Sequence, residues 1–132
     1  MTAGHQLRIA SRALLAVLAG LAGMFAANLA GSALATALRL PAGGSPRLGW
    51  DLSWIVLSGI AGAWLVVRLA PCAPRRHALA FFLLVLLMDG YAVAKLGADF
   101  PPWFSAGLLL TLPLQVWLGT RLALRRRVPR NG

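Results

Sequence analysis

Four long apolar stretches, each bounded by charged residues, decide what this chain can fold into. Residues 13–38 carry no charged side chain, and neither do residues 52–67 between Asp51 and Arg68. Residues 78–94 carry only Asp89, and residues 100–120 lie free of charge between Asp99 and Arg121. A helix of ~20 apolar residues crosses a hydrocarbon core of ~30 Å, and Arg68 and Lys95 lengthen the two shorter stretches by snorkelling. Strands do not suit these stretches, which are Leu- and Ala-rich and lack the alternation of a membrane barrel. The spacing predicts four membrane-spanning helices over about 13–38, 52–70, 77–96 and 102–121, with a basic tail at 122–132.

Composition agrees. Of 132 residues, 59% are hydrophobic and 12% charged, with a mean hydropathy of +0.74. Soluble domains run near ~45–50% apolar and ~25% charged, so this chain cannot coat a globule in water. Its length excludes a large catalytic or nucleotide-binding domain. The net charge of +10, from 13 Lys+Arg against 3 Asp+Glu, would suggest nucleic acid in a soluble protein. Here the basic residues lie between apolar runs rather than across one face, which argues for membrane topology and against nucleic-acid binding. The single Cys72 excludes a disulfide within the chain.

Short, proline-marked links join the spans: Pro41-Ala42-Gly43-Gly44-Ser45-Pro46, Pro71-Cys72-Ala73-Pro74 and Asp99-Phe100-Pro101-Pro102. Links this short make neighbouring helices antiparallel, giving an all-α, polytopic four-helix bundle as one membrane domain. The N-terminal segment, the second link and the tail share one side and hold ten of the Lys and Arg residues; Arg39, Arg47 and Lys95 lie on the other. By the positive-inside rule both termini are cytoplasmic. Trp50, Trp54, Tyr91 and Trp103 then fall near the outer interface, Trp64 and Trp117 near the inner one. Arg8 and Arg12 before an apolar run, with Ala33-Leu34-Ala35 as a small-x-small site, also resemble a signal peptide. Signal h-regions are only ~7–15 residues, so an uncleaved signal-anchor helix is expected.

In lipid, helices associate by close packing and hydrogen bonds, so small residues at spacing four mark contact faces. The first helix carries Ala19, Gly23, Ala27, Gly31 and Ala35, with Asn28, Ser32 and Thr36 alongside. The fourth carries Gly107, Thr111, Gln115 and Gly119, and the second pairs Ser58 with Gly62 and Gly59 with Ala63. Packing within the chain is the expected use, with homodimerisation the alternative. Pro113 should kink the fourth helix and free a carbonyl near Leu109.

Asp89 is the one ionisable group inside a span. Such a group costs roughly 2.5–3.5 kcal/mol on insertion scales and needs a partner or water. Lys95 is poorly placed, ~120° around the helix and ~9 Å along it. At ~1.5 Å per residue, Asp89, Ser32, Ser58 and Thr111 lie about 10–12 Å below the outer surface, with Asn28 and Gln115 at about 16–18 Å. The expectation is a buried polar cluster drawn from all four helices. Asp89 then serves a proton- or cation-coupled site, a structural hydrogen bond, or merely an interface position if the third helix ends early.

No catalytic constellation is visible: His5 and His77 flank spans, and there is no phosphate loop, activated Ser or carboxylate pair. Neither enzymatic activity nor a cofactor or metal is expected. Arg125, Arg126 and Arg127 close the fourth helix, where the helix dipole and the anionic inner leaflet both favour cations. Topology anchoring is their expected role, with recognition of one acidic lipid or partner as the sharper alternative.

Through Gly59-Ile60-Ala61-Gly62, Pro102-Trp103-Phe104 and Leu118-Gly119-Thr120-Arg121-Leu122-Ala123, the chain resembles small four-helix bacterial inner-membrane proteins. That resemblance covers nearly the whole chain and implies no defined activity. Small multidrug transporters also have four helices but carry a Glu in the first, and this sequence has no Glu. The expected function is a non-enzymatic accessory or structural subunit of the inner membrane, in contact with membrane lipids and able to form a homodimer or larger complex. The alternative is a small proton-coupled transporter or lipid-carrier flippase using Asp89.

Overall fold

The computed structural model describes residues 2–125, so Arg126 and Arg127 lie outside the described residues. The elements are α1 (Ala3–Ala37), α2 (Ser45–Leu69), α3 (Pro74–Leu96), a 3-10 turn (Gly97–Asp99), α4 (Pro102–Leu110) and α5 (Leu112–Arg125). Among the described residues there is no strand. The α4–α5 pair acts as one interrupted span, and the four spans are each long and apolar enough to cross a membrane.

The helices outrun the apolar stretches. α1 begins at Ala3 rather than near residue 13, and α2 begins at Ser45 rather than 52. A charge ends an apolar run but not a helix: Arg8, Arg12, Arg47 and Asp51 are all tolerated within helical backbone. What starts the helices is proline, in the first turn of α2, α3 and α4. What ends α1 is Arg39 in the left-handed region (φ 57°), with Leu40 N–H donating to Ala35 O at 3.0 Å. Pro113 lacks the N–H that would bond Leu109 O, and the span is interrupted one residue after Leu110 as the sequence predicts.

α2 is the central helix. One side meets α1 and the other meets α4–α5, while α3 lies across its C-terminal half. The shared core holds Met24, Ala63, Val66, Val67, Ala78, Phe81, Val85, Leu112 and Val116. Large apolar side chains such as Leu29, Leu87 and Leu110 project outward, as a lipid-facing surface requires.

Candidate functional site

The polar residues expected to form one layer are divided by α2 into separate sets. On the α1 side, Ser58 Oγ lies 2.6 Å from Trp54 O and 3.2 Å from Asn28 Oδ1. One hydroxyl proton cannot serve both acceptors. The shorter bond takes it, and turning the Asn28 amide so that its NH₂ donates to Ser58 Oγ satisfies the second contact. On the opposite side, Gln115 Nε2 donates to Thr111 Oγ1 at 3.0 Å, and Thr111 Oγ1 donates to Gly107 O at 2.5 Å. Gln115 is only 2% exposed and lies directly on Gly59, where an added methyl would collide with the Gln115 amide. Consecutive residues of α2 thus face different neighbours: Ser58 meets α1 and Gly59 meets α5.

Ser32 belongs to a third set, at the end of the bundle. Arg47 donates through Nε to Asp51 Oδ1 at 3.2 Å and through an Nη to Ser32 Oγ at 3.2 Å. Beside it, Trp50 Nε1 donates to Gly31 O at 2.9 Å, and the Trp54 ring covers Gly31, where an added methyl would sit 2.5 Å from the indole. Both tryptophans read in the sequence as interface-belt residues. Their signal as packing residues lay in the spacing, because Trp50, Trp54, Ser58, Gly62 and Val66 form one i, i+4 series.

The small-residue seam of α1 also differs from the strict four-residue spacing. Its buried positions are Ala16, Gly20, Met24, Gly31 and Ala35, with Ala19, Gly23 and Ala27 only partly buried. Four residues turn a helix by about 400°, so a run from Ala19 to Ala35 drifts about 160° around the axis. The real seam inserts a three-residue step near Ala27. Its closest approach is between Gly20 and Gly62: a methyl on either would lie 2.9–3.0 Å from the other's carbonyl oxygen. Gly119 packs on α2 backbone in the same manner, and Gly107 on Leu52.

Asp89 stands apart. α3 continues to Leu96, about 10 Å past it, so it lies within the helix and not at an early end. It follows Ala78, Phe81 and Val85 along the inward face, but Val85 is the last buried residue of α3. Asp89 is half-buried, and among the described residues it has no hydrogen-bond or ion-pair partner. Lys95 lies instead over the Tyr91 ring, 5.9 Å from its centroid. Among the described residues no group of three or more His, Cys, Asp or Glu is placed to hold a metal. Comparison with family models, curated proteins and solved structures finds no match to this chain.

Proposed function

We propose that this chain is a non-enzymatic accessory or structural subunit of a bacterial inner membrane, with both termini in the cytoplasm, and that Asp89 is its contact with a partner helix. The observation that carries the reading is the contrast between Asp89 and every other polar group within the spans that the sequence singled out. Asn28, Ser58, Thr111 and Gln115 are bonded inside the bundle, whereas Asp89 has no partner among the described residues. A carboxyl in hydrocarbon without a partner is costly, so its complement comes from outside the chain. Ser58, Thr111 and Gln115 already donate internally, which favours a different protein offering a donor or basic side chain over a second copy. The divided polar sets also supply no continuous path across the bundle, which weighs against the transporter alternative.

A photoreactive residue at Leu87, 72% exposed on the same half of α3, should give one discrete adduct in cells, lost in Asp89→Ala. A smear of lipid adducts, unchanged by the substitution, defeats the reading. Proton-linked flux in liposomes that disappears in Asp89→Asn moves it to the transporter. Orientation is tested by reporter fusions, cytoplasmic after Asn131 and near Arg76, external near Gly44 and Ala98.

A further inference from the structure

A groove of about 860 Å³ runs between the first half of α3 and α5. Its walls are apolar, with Phe82 on one side and Pro113 and Trp117 on the other. Three arginines, Arg75, Arg121 and Arg125, line one end. The Arg121 guanidinium is held 5.1 Å from the centroid of the Trp117 ring. Within the wall, the Thr120 hydroxyl is buried without a hydrogen-bond partner.

Among the described residues the charge at this end has no internal answer. The chain has three acidic residues: Asp51, Asp89 and Asp99. Asp51 and Asp99 lie at the other end of the bundle, and Asp51 is paired with Arg47. Asp89 is about 21 Å along α3 from Arg75. Among the described residues the three groove arginines therefore have no carboxylate partner. From Pro113 to Arg125 is about 18 Å along a helix axis, close to the ~15 Å depth of one leaflet's hydrocarbon. Cations at the interface and an apolar trough one leaflet deep fit one chemistry: an anionic headgroup on an acyl chain.

We propose that this groove is a binding site for one anionic phospholipid, its phosphate held by Arg75 and Arg121 with Arg125 at the rim, its acyl chain lying along Phe82, Trp117 and Pro113. The site requires the bundle to lie in a bilayer but depends on neither its orientation nor Asp89. It gives the basic cluster a selective role beyond topology.

The test is native mass spectrometry of the delipidated full chain, titrated with phosphatidylglycerol, with phosphatidylcholine of the same acyl chains, and with glycerol phosphate as the bare headgroup. One phosphatidylglycerol should be retained, at least tenfold more tightly than phosphatidylcholine, and glycerol phosphate should not be retained. Arg75→Gln with Arg121→Gln should weaken phosphatidylglycerol on the order of 30-fold. Arg8→Gln with Arg12→Gln removes the same charge from the same end and should change little. Asp89→Ala should change nothing, which separates this site from the proposed partner contact. Equal retention of the two lipids, equal loss in both double variants, or binding of the bare headgroup as tight as the lipid would each overturn the site. If the Arg75/Arg121 variant does not fold, phosphatidylglycerol brominated on its acyl chains still reads the wild type. It should quench an emission component that Trp117→Phe removes, and quenching no greater than with brominated phosphatidylcholine overturns the proposal.

Discussion

α2 and α3 are nearly equal in hydropathy, yet six residues of α2 are buried and only three of α3. Greasiness therefore does not decide which helix is central. Lipid tails are as apolar as Leu, so an apolar side chain gains little by leaving them, and close backbone approach decides instead. α2 presents Ser58, Gly59, Gly62 and Ala63, all buried, and lets α1 and α5 come near on two sides. α3 has one glycine before its C-cap, Gly90, and a methyl there would meet nothing within 4 Å. Its packing rests on Ala78, Phe81 and Val85, and no residue of its second half is fully buried.

The sharpest way to break this comparison is within α3 itself. Phe81 is wholly buried and its ring tip abuts Gly62, whereas Leu87 is 72% exposed. Phe81→Ala should destabilise the bundle by about 3 kcal/mol, the low end for a buried Phe because in lipid the cavity and lost contacts count and transfer from water does not, while Leu87→Ala should cost under ~0.5 kcal/mol. Thermal or denaturant unfolding in detergent, followed by circular dichroism, measures both. Equal losses would mean that the two halves of α3 are packed alike.

Gly119 tests the α2–α5 side. A methyl there would lie 2.5 Å from Ile60 O and 2.7 Å from Ala63 Cβ, and backbone cannot step aside as a side-chain tip can. Gly119→Val should cost about 3 kcal/mol by overpacking, read by the same unfolding experiment. A variant as stable as wild type would show that α5 can withdraw from α2 without loss.

Four apolar spans, their short links and the break near Pro113 were legible in the sequence, because each rests on a local cause: absent charge, proline, loop length. Depth and rotation were not: Asn28 reads as deeper than Ser58 yet bonds to it, and Ser32 reads as level with Ser58 yet bonds Arg47. Depth along an axis does not say that α2 would turn Ser58 and Gly59 to different neighbours, nor that α1 would use Gly20 where the longest small-residue run uses Ala19 and Gly23. These follow from the turn of the helix and the partner's shape, which no single segment encodes. The groove arginines were equally hidden, since Arg75 and Arg121 lie far apart in the chain and each alone reads as topology.

Ser58 sharpens the polar side of the contrast. Ser58→Ala removes the donor to Trp54 O and leaves the Asn28 amide facing a methyl group. Interhelical hydrogen bonds in lipid average near 0.6 kcal/mol, so the loss should be about 1 kcal/mol, and Asn28→Leu in the same background should add little more. A further full loss in the double variant would mean that Asn28 works through another residue.

The smallest expected effect is the most telling about α3. Gly90 sits inside a helix with open space around it, so its missing side chain serves no contact within the described chain. Gly in a helix interior costs roughly 0.5–1 kcal/mol relative to Ala, and Gly90→Ala should raise the stability of the dilute, detergent-solubilised protein by about 0.5 kcal/mol. If a partner helix approaches α3 beside Asp89, the same position is where backbone contact would be closest, and Gly90→Leu should abolish the Leu87 adduct while leaving the isolated protein at least as stable as wild type. Retention of the adduct in Gly90→Leu would place the partner on another face of α3. A drop in stability with Gly90→Ala would show that this half of the helix is packed after all, and α3 would then differ from α2 in degree only.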